Sequence, residues 1–145
     1  MPRPESTVSH SPPDATRLPP LDATVATRVP TLVQDLILGT AARHADRPAI
    51  RAGQVLVGYG QLAELLAATA TGLLGLGLGP RDRVAVYLPK TIETVASFFG
   101  TALAGGVFVP VNPVLKAPQV GHILRDSGAR VLVTSSGRLT ALTDI

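Results

Sequence analysis

The amino-acid sequence predicts an α/β fold, in which a partial, mainly parallel sheet is flanked by helices. From residue 83 to residue 134, short continuous apolar runs typical of buried parallel strands alternate with helical patterns. This strand–helix–strand–helix–strand order favours right-handed crossovers and a parallel sheet. Of the 145 residues, 46% are hydrophobic and none is cysteine, which is typical of an aliphatic globular protein and excludes a disulfide scaffold.

The first 30 residues are predicted to be a disordered, Pro-rich leader. They contain seven of the 13 prolines, and their apolar residues are too scattered to offset the entropy that ordering would cost. They contain no apolar core of the kind that a secretory signal peptide has. A partner-binding arm is the alternative interpretation of this segment. The folded part is expected to span residues 31–145.

In the first half of the folded part, the sequence predicts two helices with a hairpin between them. Helical spacing of apolar residues marks the helices, and the pair Ala52 and Gly53 between two short runs marks the hairpin turn. Glycines at 75, 77 and 79, followed by Pro80, end the second helix, because glycine accepts a left-handed cap and proline cannot continue a helix. The predicted elements are a helix from Thr31 to about Arg43, strands at 48–51 and 54–57, and a helix from Tyr59 to about Leu76.

In the second half, the sequence predicts three buried strands, with one helix between each strand and the next. Thr91 is placed to cap the first of these helices, and Glu93 to complement its dipole. Pro118 suits the first turn of the second helix, and Gly128 its end. The segment SSGRLT, residues 135–140, is expected to be a surface connection. The predicted elements are strands at 83–88, 107–109 and 130–134, and helices from Ile92 to Leu103 and from about Pro118 to Gly128.

The composition argues against binding to nucleic acid, and the uncharged stretches of the sequence do not predict a membrane span. The net charge is +3, no run of Lys and Arg occurs, and two tyrosines and three phenylalanines are too few for a base-stacking platform. Residues 94–115 form an uncharged stretch of 22 residues, but the glycines and prolines in its second half would break a membrane-spanning helix. With no span and no signal peptide, the expected location is the cytoplasm.

No residue is assigned a catalytic, cofactor-binding or metal-ligating role. His10, His44 and His122 have no spacing that places two of them on one helical face, so no metal site is predicted. The glycine-rich segment 72–79 follows a helix, whereas a dinucleotide fingerprint follows a strand and opens a helix. There is no Walker-type loop and no Gly-x-Ser-x-Gly elbow. Spacing alone leaves a Ser-His-Asp triad open, because triads are assembled in space.

Three polar residues lie just beyond the predicted carboxyl ends of strands. Lys90 follows the first strand of the sheet, and Asn112 and Lys116 follow the second. Open α/β sheets usually bind ligands at such ends. Loop solvation is the favoured interpretation, since loops carry polar residues whether or not they bind anything. At the start of the first strand, Asp82 beside Arg83 is expected to form a surface ion pair worth at most ~1 kcal/mol.

Four ordered blocks of sequence resemble those of a known family. They are YGQL at 59–62, GLGPRDRVAVYLP at 77–89, LAGGVFVPVNP at 103–113 and HILRDSGARVLVT at 122–134. Together they resemble the N-terminal portion of the adenylate-forming superfamily of acyl-CoA synthetases and peptide-synthetase adenylation domains. Gly58 and Gln61 depart from the family's first core motif, and Arg81 stands where the family pattern has glycine. Residues 86–116 further resemble the acyl-CoA ligases associated with bacterial exosortase systems.

The resemblance implies an activity and its cofactors. Members of this family activate a carboxylic or fatty acid with ATP to an acyl-adenylate, release pyrophosphate and pass the acyl group to CoA, with Mg²⁺ offsetting phosphate charge. The family's phosphate loop, its adenine and ribose motifs and its catalytic lysine lie beyond the four matched blocks. Residues 31–145 are therefore expected to be an incomplete N-terminal AMP-dependent synthetase/ligase domain that is inactive alone.

Two other functions remain open at the level of sequence. One is a non-catalytic, stand-alone α/β interaction module that uses the Pro-rich leader as its contact arm. The other is a Rossmann-like nucleotide binder, which measurable affinity of the chain for ATP or CoA would support. The acyl substrate is not predicted, because the family's pocket-lining segments also lie outside the matched blocks.

Overall fold

The computed structural model describes residues 32–143, which form five helices and five strands. The predicted leader lies outside the described residues, so its disorder stays a prediction. The elements are α1 (Asp35–His44), β1 (Pro48–Ala52), β2 (Val55–Gly58), α2 (Tyr59–Gly75), β3 (Arg83–Tyr87), α3 (Ile92–Leu103), β4 (Val107–Pro110), α4 (Ala117–Ser127), β5 (Val131–Thr134) and α5 (Ser136–Thr140).

The strands β3, β4 and β5 form a parallel sheet in the order β4-β3-β5, which confirms the predicted fold class. Helix α3 connects β3 to β4, and α4 connects β4 to β5. In the central strand, Ala85 lies opposite Val109 of β4 and Leu132 of β5. The strands β1 and β2 form the predicted antiparallel hairpin, and Gly53 in its turn has φ +59°.

Buried side chains of β3 alternate between the two faces of the sheet. Ala85 and Tyr87 belong to a cluster that α4 covers, whereas Val84 and Val86 belong to a cluster with the end of α2. A period of two with both faces covered is typical of a central parallel strand. A third cluster, which includes Leu66, joins α1, the hairpin, α2 and α3. The core of the described residues therefore lies on both sides of β3.

The prediction that β4 is a buried strand is wrong. Val107 is 47% exposed, and Phe108 and Val109 are half-buried. Within residues 32–143, β4 pairs with β3 alone, so its other edge has no strand beside it. The ring of Phe108 stacks on that of Phe98 of α3 at a centroid distance of 5.0 Å, which covers part of one face. An apolar run of this length does not distinguish a central strand from an edge strand.

The helix ends mostly follow the predicted signals. Gly77, just after α2, has φ +82°, and Gly128, just after α4, has φ +58°, so both adopt the left-handed conformation that ends helices. Thr91 is the N-cap residue of α3, as predicted, but its side chain makes no capping bond to the backbone. The Thr91 hydroxyl instead lies 3.4 Å from that of Thr94.

Two helices differ from their predictions. Helix α1 begins at Asp35 rather than Thr31, since the Asp35 carboxylate accepts a hydrogen bond from the backbone N–H of Leu32 at 3.1 Å and closes a turn there. The segment 135–140 is not only a surface connection, because it contains α5. Leu142, just after α5, is buried against the sheet. A five-residue helix is too short for helical periodicity to be recognised in sequence.

Arg81 has a left-handed backbone conformation, with φ +63°. This conformation costs a residue with a Cβ atom about 1–2 kcal/mol, because Cβ approaches the following carbonyl oxygen. The backbone N–H of Arg81 donates to the carbonyl oxygen of Gly105 at 2.8 Å, which joins the turn before β3 to the end of α3. The conformation gives a physical reason for the glycine that the family pattern has at this position.

We expect Arg81→Gly to raise the free energy of unfolding by up to about 1 kcal/mol. The gain from removing left-handed strain exceeds the extra backbone entropy that glycine has in the unfolded chain. Arg51→Gly is the matched control, since Arg51 is an exposed residue of β1, and it should lower the free energy by about 0.5–1 kcal/mol. Urea denaturation followed by circular dichroism measures both, and equal losses at the two positions would contradict the prediction.

Candidate ligand-binding edge

The carboxyl ends of β3, β4 and β5 meet at one edge of the sheet, because the three strands are parallel. We define the carboxyl edge as residues 87–91, 110–116 and 134–138. It contains the three polar residues that the sequence singles out, and Lys90, Asn112 and Lys116 are all exposed there. Since open α/β sheets bind ligands at this edge, it is the candidate site.

Tyr87, buried at the end of β3, connects the three strand ends. Its hydroxyl donates a hydrogen bond to the carbonyl oxygen of Leu115 at 2.7 Å, and the Thr134 hydroxyl donates to the Tyr87 carbonyl oxygen at 3.0 Å. The guanidinium of Arg138 lies 4.5 Å from the centroid of the Tyr87 ring and donates to the carbonyl oxygen of Pro113 at 2.8 Å. These contacts hold the loop after β4 between β3 and α5.

The loop after β4 is also fixed by its own polar groups. The side-chain oxygen of Asn112 accepts a hydrogen bond from the backbone N–H of Val114 at 3.2 Å, and the backbone N–H of Lys116 donates to Oε1 of Gln119 at 3.0 Å. Asn112 therefore has a structural part in the loop. Within residues 32–143, the ammonium groups of Lys90 and Lys116 form no hydrogen bond or ion pair, so both are available at the carboxyl edge.

An open cavity of about 520 Å³ lies at the carboxyl edge. Two of its lining residues, Lys116 and Arg138, are cations, and none carries a carboxylate. A concave surface with one sign of charge attracts groups of the opposite sign, so this cavity suits an anionic group. It does not suit Mg²⁺, which prefers oxygen ligands. Residues 32–143 contain no group of three His, Cys, Asp or Glu side chains that could hold a metal ion.

Glu93 lies in the first turn of α3, close to the carboxyl edge. Its pKa is lowered from the ordinary 4.5 because the Thr91 hydroxyl and the backbone N–H of Glu93 hydrogen-bond to its carboxylate, while burial has a small opposite effect. The charged carboxylate therefore stabilises the fold above the ordinary pKa. This contribution is lost as the pH falls through the lowered pKa of the folded state. At neutral pH, Glu93 is an anion at the positive end of the helix dipole.

Sequence reasoning missed Tyr87 and Arg138, which organise the site. Tyr87 ends an apolar run and was identifiable only as a strand residue, and Arg138 lies in a segment expected to be a surface connection. The only local signal for Tyr87 is that a tyrosine at the end of a buried strand needs a partner for its hydroxyl. No local signal identifies Arg138, because its partners come from strand β3 and from the loop after β4.

We expect Arg138→Ala to loosen the loop after β4 without unfolding the sheet. The substitution removes the contact with the Tyr87 ring and the hydrogen bond to Pro113, and amide exchange in the loop should become about tenfold faster, which corresponds to about 1.4 kcal/mol. Hydrogen exchange at the amides of Val114 and Leu115 measures the effect. Arg125→Ala, at an exposed position of α4, is the control and should leave these amides unchanged. Unchanged exchange in both variants would contradict the assignment.

The predicted ion pair of Asp82 is confirmed, and its partner is identified. Asp82 pairs with Arg130 at 3.2 Å, where the Asp82 side chain is 28% exposed and that of Arg130 61%. The same carboxylate accepts a hydrogen bond from the backbone N–H of Gly79 at 2.8 Å. The exposed guanidinium limits the pair to at most ~1 kcal/mol. This group fixes the turn before β3, away from the carboxyl edge.

The remaining sequence candidates do not assemble into a site. His44 and His122 are exposed on α1 and α4, and His10 lies outside the described residues. The glycines at 75, 77 and 79 end α2 and lead into β3, as predicted. In the described part of the chain, none of the helices has the length and apolar character needed to cross a membrane.

The fold and the ordered blocks together identify the protein family to which this chain belongs. Residues 38–144 match the family model described as AMP-binding enzyme. The match covers more than half of the chain, so the chain belongs to this family, and the predicted membership of the adenylate-forming superfamily is confirmed. The narrower resemblance to exosortase-associated ligases stays a prediction.

Curated relatives include both peptide synthetases and CoA ligases. Surfactin synthase subunit 1 of Bacillus subtilis is 37% identical over 111 residues, which are 75% of this chain and 3% of that protein. Long-chain-fatty-acid--CoA ligase FadD13 of Mycobacterium tuberculosis is 41% identical over 75 residues, 52% of this chain and 15% of the ligase. Feruloyl-CoA synthase of Amycolatopsis sp is 40% identical over 85 residues, 59% of this chain and 17% of the synthase. The chain thus spans a small part of the length of these relatives.

Two solved structures have the same fold over the matched region. The anthranilate CoA ligase AuaEII, in complex with anthranoyl-AMP, superposes with a TM-score of 0.75 at 27% identity, over 79% of this chain and 22% of the ligase. The N-terminal domain of FACL13 from Mycobacterium tuberculosis superposes with a TM-score of 0.75 at 30% identity, over 80% of this chain and 30% of that one. The prediction that this fold is the first part of such an N-terminal domain is confirmed.

Proposed function

We propose that residues 32–143 are the opening part of the N-terminal domain of an ATP-dependent acyl-CoA ligase. In the first step of the proposed reaction, a carboxylate oxygen attacks the α-phosphorus of ATP, an acyl-adenylate forms and pyrophosphate leaves. In the second step, the thiol of CoA attacks the acyl carbon, AMP leaves and the thiol proton is released. The observation that carries the proposal is the match of residues 38–144 to the AMP-binding family, together with the similarity to CoA ligases.

The role proposed for this segment is structural and electrostatic. The central strand β3 is covered on both faces, and Tyr87 ties its end to the neighbouring loops. Lys90 and Lys116 are exposed cations at the same edge, and the substrates of the proposed reaction are anions. The edge would therefore attract substrates toward residues that perform the chemistry elsewhere in the enzyme. Mg²⁺ and the triphosphate of ATP would be bound by those other residues.

The 145 residues alone are expected to form no acyl-adenylate. The sequence contains no Thr-Ser-Gly-Thr-Thr-Gly-x-Pro-Lys-Gly loop, which the resemblance implies for phosphate binding. Incubation of the chain with ATP, Mg²⁺, fatty acids and CoA should therefore release no pyrophosphate above the background without protein. Pyrophosphate release that depends on the added acid would contradict this expectation.

A chimera tests the proposed function in a complete enzyme. The segment of FadD13 that this chain matches would be replaced by the corresponding residues of this chain, and acyl-CoA formation from fatty acids would be measured. Because the segment is proposed to be a part of a ligase, the folded chimera should retain fatty acyl-CoA formation within about tenfold of the parent, a loss of about 1.4 kcal/mol. A monodisperse chimera with native circular dichroism and no adenylate formation would overturn the proposal.

The acceptor is tested with the same chimera. Surfactin synthase is also similar to this chain, so adenylation alone does not distinguish a ligase from a peptide synthetase. Adenylate formation is followed by pyrophosphate release and CoA transfer by the acyl-CoA product. If the chimera adenylates fatty acids but has lost transfer to CoA, this segment is specific for another acceptor and the CoA part of the proposal fails.

A further inference from the structure

The only two lysines of the sequence both lie at the carboxyl edge. The chain contains eleven arginines but only Lys90 and Lys116 as lysines, and both are exposed at that edge. A lysine amine can attack an activated acyl carbon and is the usual target of acetylation, whereas a guanidinium is not. All side-chain amines of this chain are therefore at the edge where a ligand is expected.

The two lysines differ in their surroundings. Lys116 lines the open cavity of about 520 Å³ at this edge, together with Arg138, whereas Lys90 does not line it. Lys116 is also the N-cap residue of α4, where the helix dipole favours an anion over a cation. The stability of α4 therefore does not explain the positive charge at this position. Two cations at one concave surface, with no carboxylate among the lining residues, do suit an anionic ligand.

Arg138 is placed to hold a phosphate group in this cavity. Its guanidinium is fixed by the Tyr87 ring at 4.5 Å and by the carbonyl oxygen of Pro113 at 2.8 Å. Within residues 32–143, this hydrogen bond uses one of the five N–H donors of the guanidinium, and no carboxylate pairs with it. A fixed guanidinium with free donors matches the geometry of phosphate oxygens.

We propose that Lys116 is an acylation site for mixed anhydrides of a carboxylic acid and a phosphate. Arg138 binds the phosphate oxygens, the acyl group contacts apolar lining residues such as Leu115 and Leu142, and the Lys116 amine attacks the acyl carbon. The acyl-adenylate of the proposed ligase reaction is one such anhydride, and a small acyl phosphate is another. The inference rests on the proposed function only for the first of these two sources.

The proposed step transfers an acyl group from oxygen to nitrogen. A bond forms between the Lys116 nitrogen and the acyl carbon, and the bond between that carbon and the phosphate oxygen breaks. The phosphate leaves with the electron pair of the broken bond, as AMP or as inorganic phosphate, and the ammonium loses two protons to water or to the leaving phosphate. The resulting amide has no positive charge, so acylation weakens the attraction of the carboxyl edge for anions.

Acylation of the full chain with synthetic acetyl adenylate tests the proposal, because the anhydride is supplied and need not be made by the chain. Peptide mass spectrometry measures the acetylation rates of Lys116 and Lys90 in the same sample. Lys116 should react at least about tenfold faster, since bound reagent raises the effective concentration at its amine. The N-hydroxysuccinimide ester of acetic acid carries no phosphate and should acetylate the two lysines at similar rates. An equal preference for Lys116 with both reagents would overturn the proposal, because it would reflect the reactivity of the amine alone.

Arg138→Gln removes the charge that is proposed to hold the phosphate. In this variant, the preference of acetyl adenylate for Lys116 over Lys90 should fall to that of the uncharged ester. Loosening of the loop after β4 affects the reaction with both reagents, so the ratio between the reagents isolates the contact with phosphate. Arg125→Gln, at an exposed position of α4, is the matched control and should keep the preference. A full preference in Arg138→Gln would overturn the proposal.

Further arms with the unmodified chain identify the source of the acyl group. Selective acetylation of Lys116 by acetyl adenylate but not by acetyl phosphate supports an adenylate as the source, whereas selective acetylation by acetyl phosphate supports a small acyl phosphate. Excess AMP should slow the reaction of Lys116 with acetyl adenylate and leave that of Lys90 unchanged, and no slowing would overturn binding through the phosphate. An inactive ligase chimera together with selective acetylation would reject the proposed function alone. An active chimera with equal acetylation of the two lysines would reject only the acylation site.

Discussion

Gly100→Ala is expected to lower the free energy of unfolding by about 1–3 kcal/mol. Gly100 is buried in α3 where this helix crosses α2. A Cβ atom added there would lie 2.6 Å from Cβ and 2.8 Å from Cγ2 of Thr69, and 3.1 Å from the carbonyl oxygen of Leu66. Real Cβ atoms do not approach one another so closely, so the two helices would have to separate.

A rotation of Thr69 cannot relieve the contact, because the closest atom is its Cβ. The Thr69 hydroxyl also donates to the carbonyl oxygen of Leu65 at 2.8 Å, which fixes its rotamer. The effect opposes helix propensity, since alanine is about 1 kcal/mol better than glycine in a helix interior. The sign of the change therefore distinguishes close packing from propensity.

Gly72→Ala is the matched control for Gly100→Ala. Gly72 lies in α2, and a Cβ atom added there has no neighbour within 4 Å. This variant should gain up to about 1 kcal/mol from helix propensity. Urea denaturation of both variants, followed by circular dichroism at the helical band, measures the difference. Stabilisation of both variants would show that α2 and α3 are not packed as closely as the structure places them.

A double variant locates the steric conflict. Thr69→Gly removes the Cβ atom that Gly100→Ala would strike, so the two substitutions together should cost less than the sum of their separate effects. Contacting residues commonly show coupling of about 0.5–3 kcal/mol in such cycles. Additive effects would place the conflict elsewhere, with the carbonyl oxygen of Leu66 as the remaining close neighbour.

The elements of this fold were predictable because their signals are local. The glycines that end α2 and α4, the hairpin turn at Gly53 and the apolar run of β3 all lie within or directly beside the elements that they define. The exposure of β4 was not predictable in the same way. It depends on which strands lie beside β4, and the composition of residues 107–109 contains no information about its neighbours.

The candidate site was predictable in position but not in organisation. Lys90, Asn112 and Lys116 were placed correctly, because parallel strands necessarily bring their carboxyl ends together. The contact between Tyr87 and Arg138 joins segments far apart in sequence. Periodicity does not report such a contact. Arg81 was only partly predictable. The family pattern shows that an arginine replaces a glycine at this position, but only the backbone angle of the structure explains why the family has glycine there.

Leu66→Ala is expected to cost about 2–5 kcal/mol, the usual range for removing a large side chain from a packed core. Leu66 is 0% exposed and belongs to the cluster that joins α1, the hairpin, α2 and α3. Ile37 of α1 and Val57 of β2 are buried in the same cluster. The loss should therefore reach both the hairpin and α1, and their amides should exchange faster together.

Leu65→Ala, one residue earlier in α2, separates burial from helix composition. Leu65 is 40% exposed, although its apolar character fits the same helical pattern in sequence. The two variants have the same composition and nearly the same helix propensity, yet Leu65→Ala should cost less than about 1 kcal/mol. Denaturation midpoints of the two variants, measured under the same conditions, distinguish the effect of burial from that of helix composition. A similar loss of unfolding free energy in the two variants would mean that the face of α2 that carries Leu65 is also covered. The core would then include Leu65.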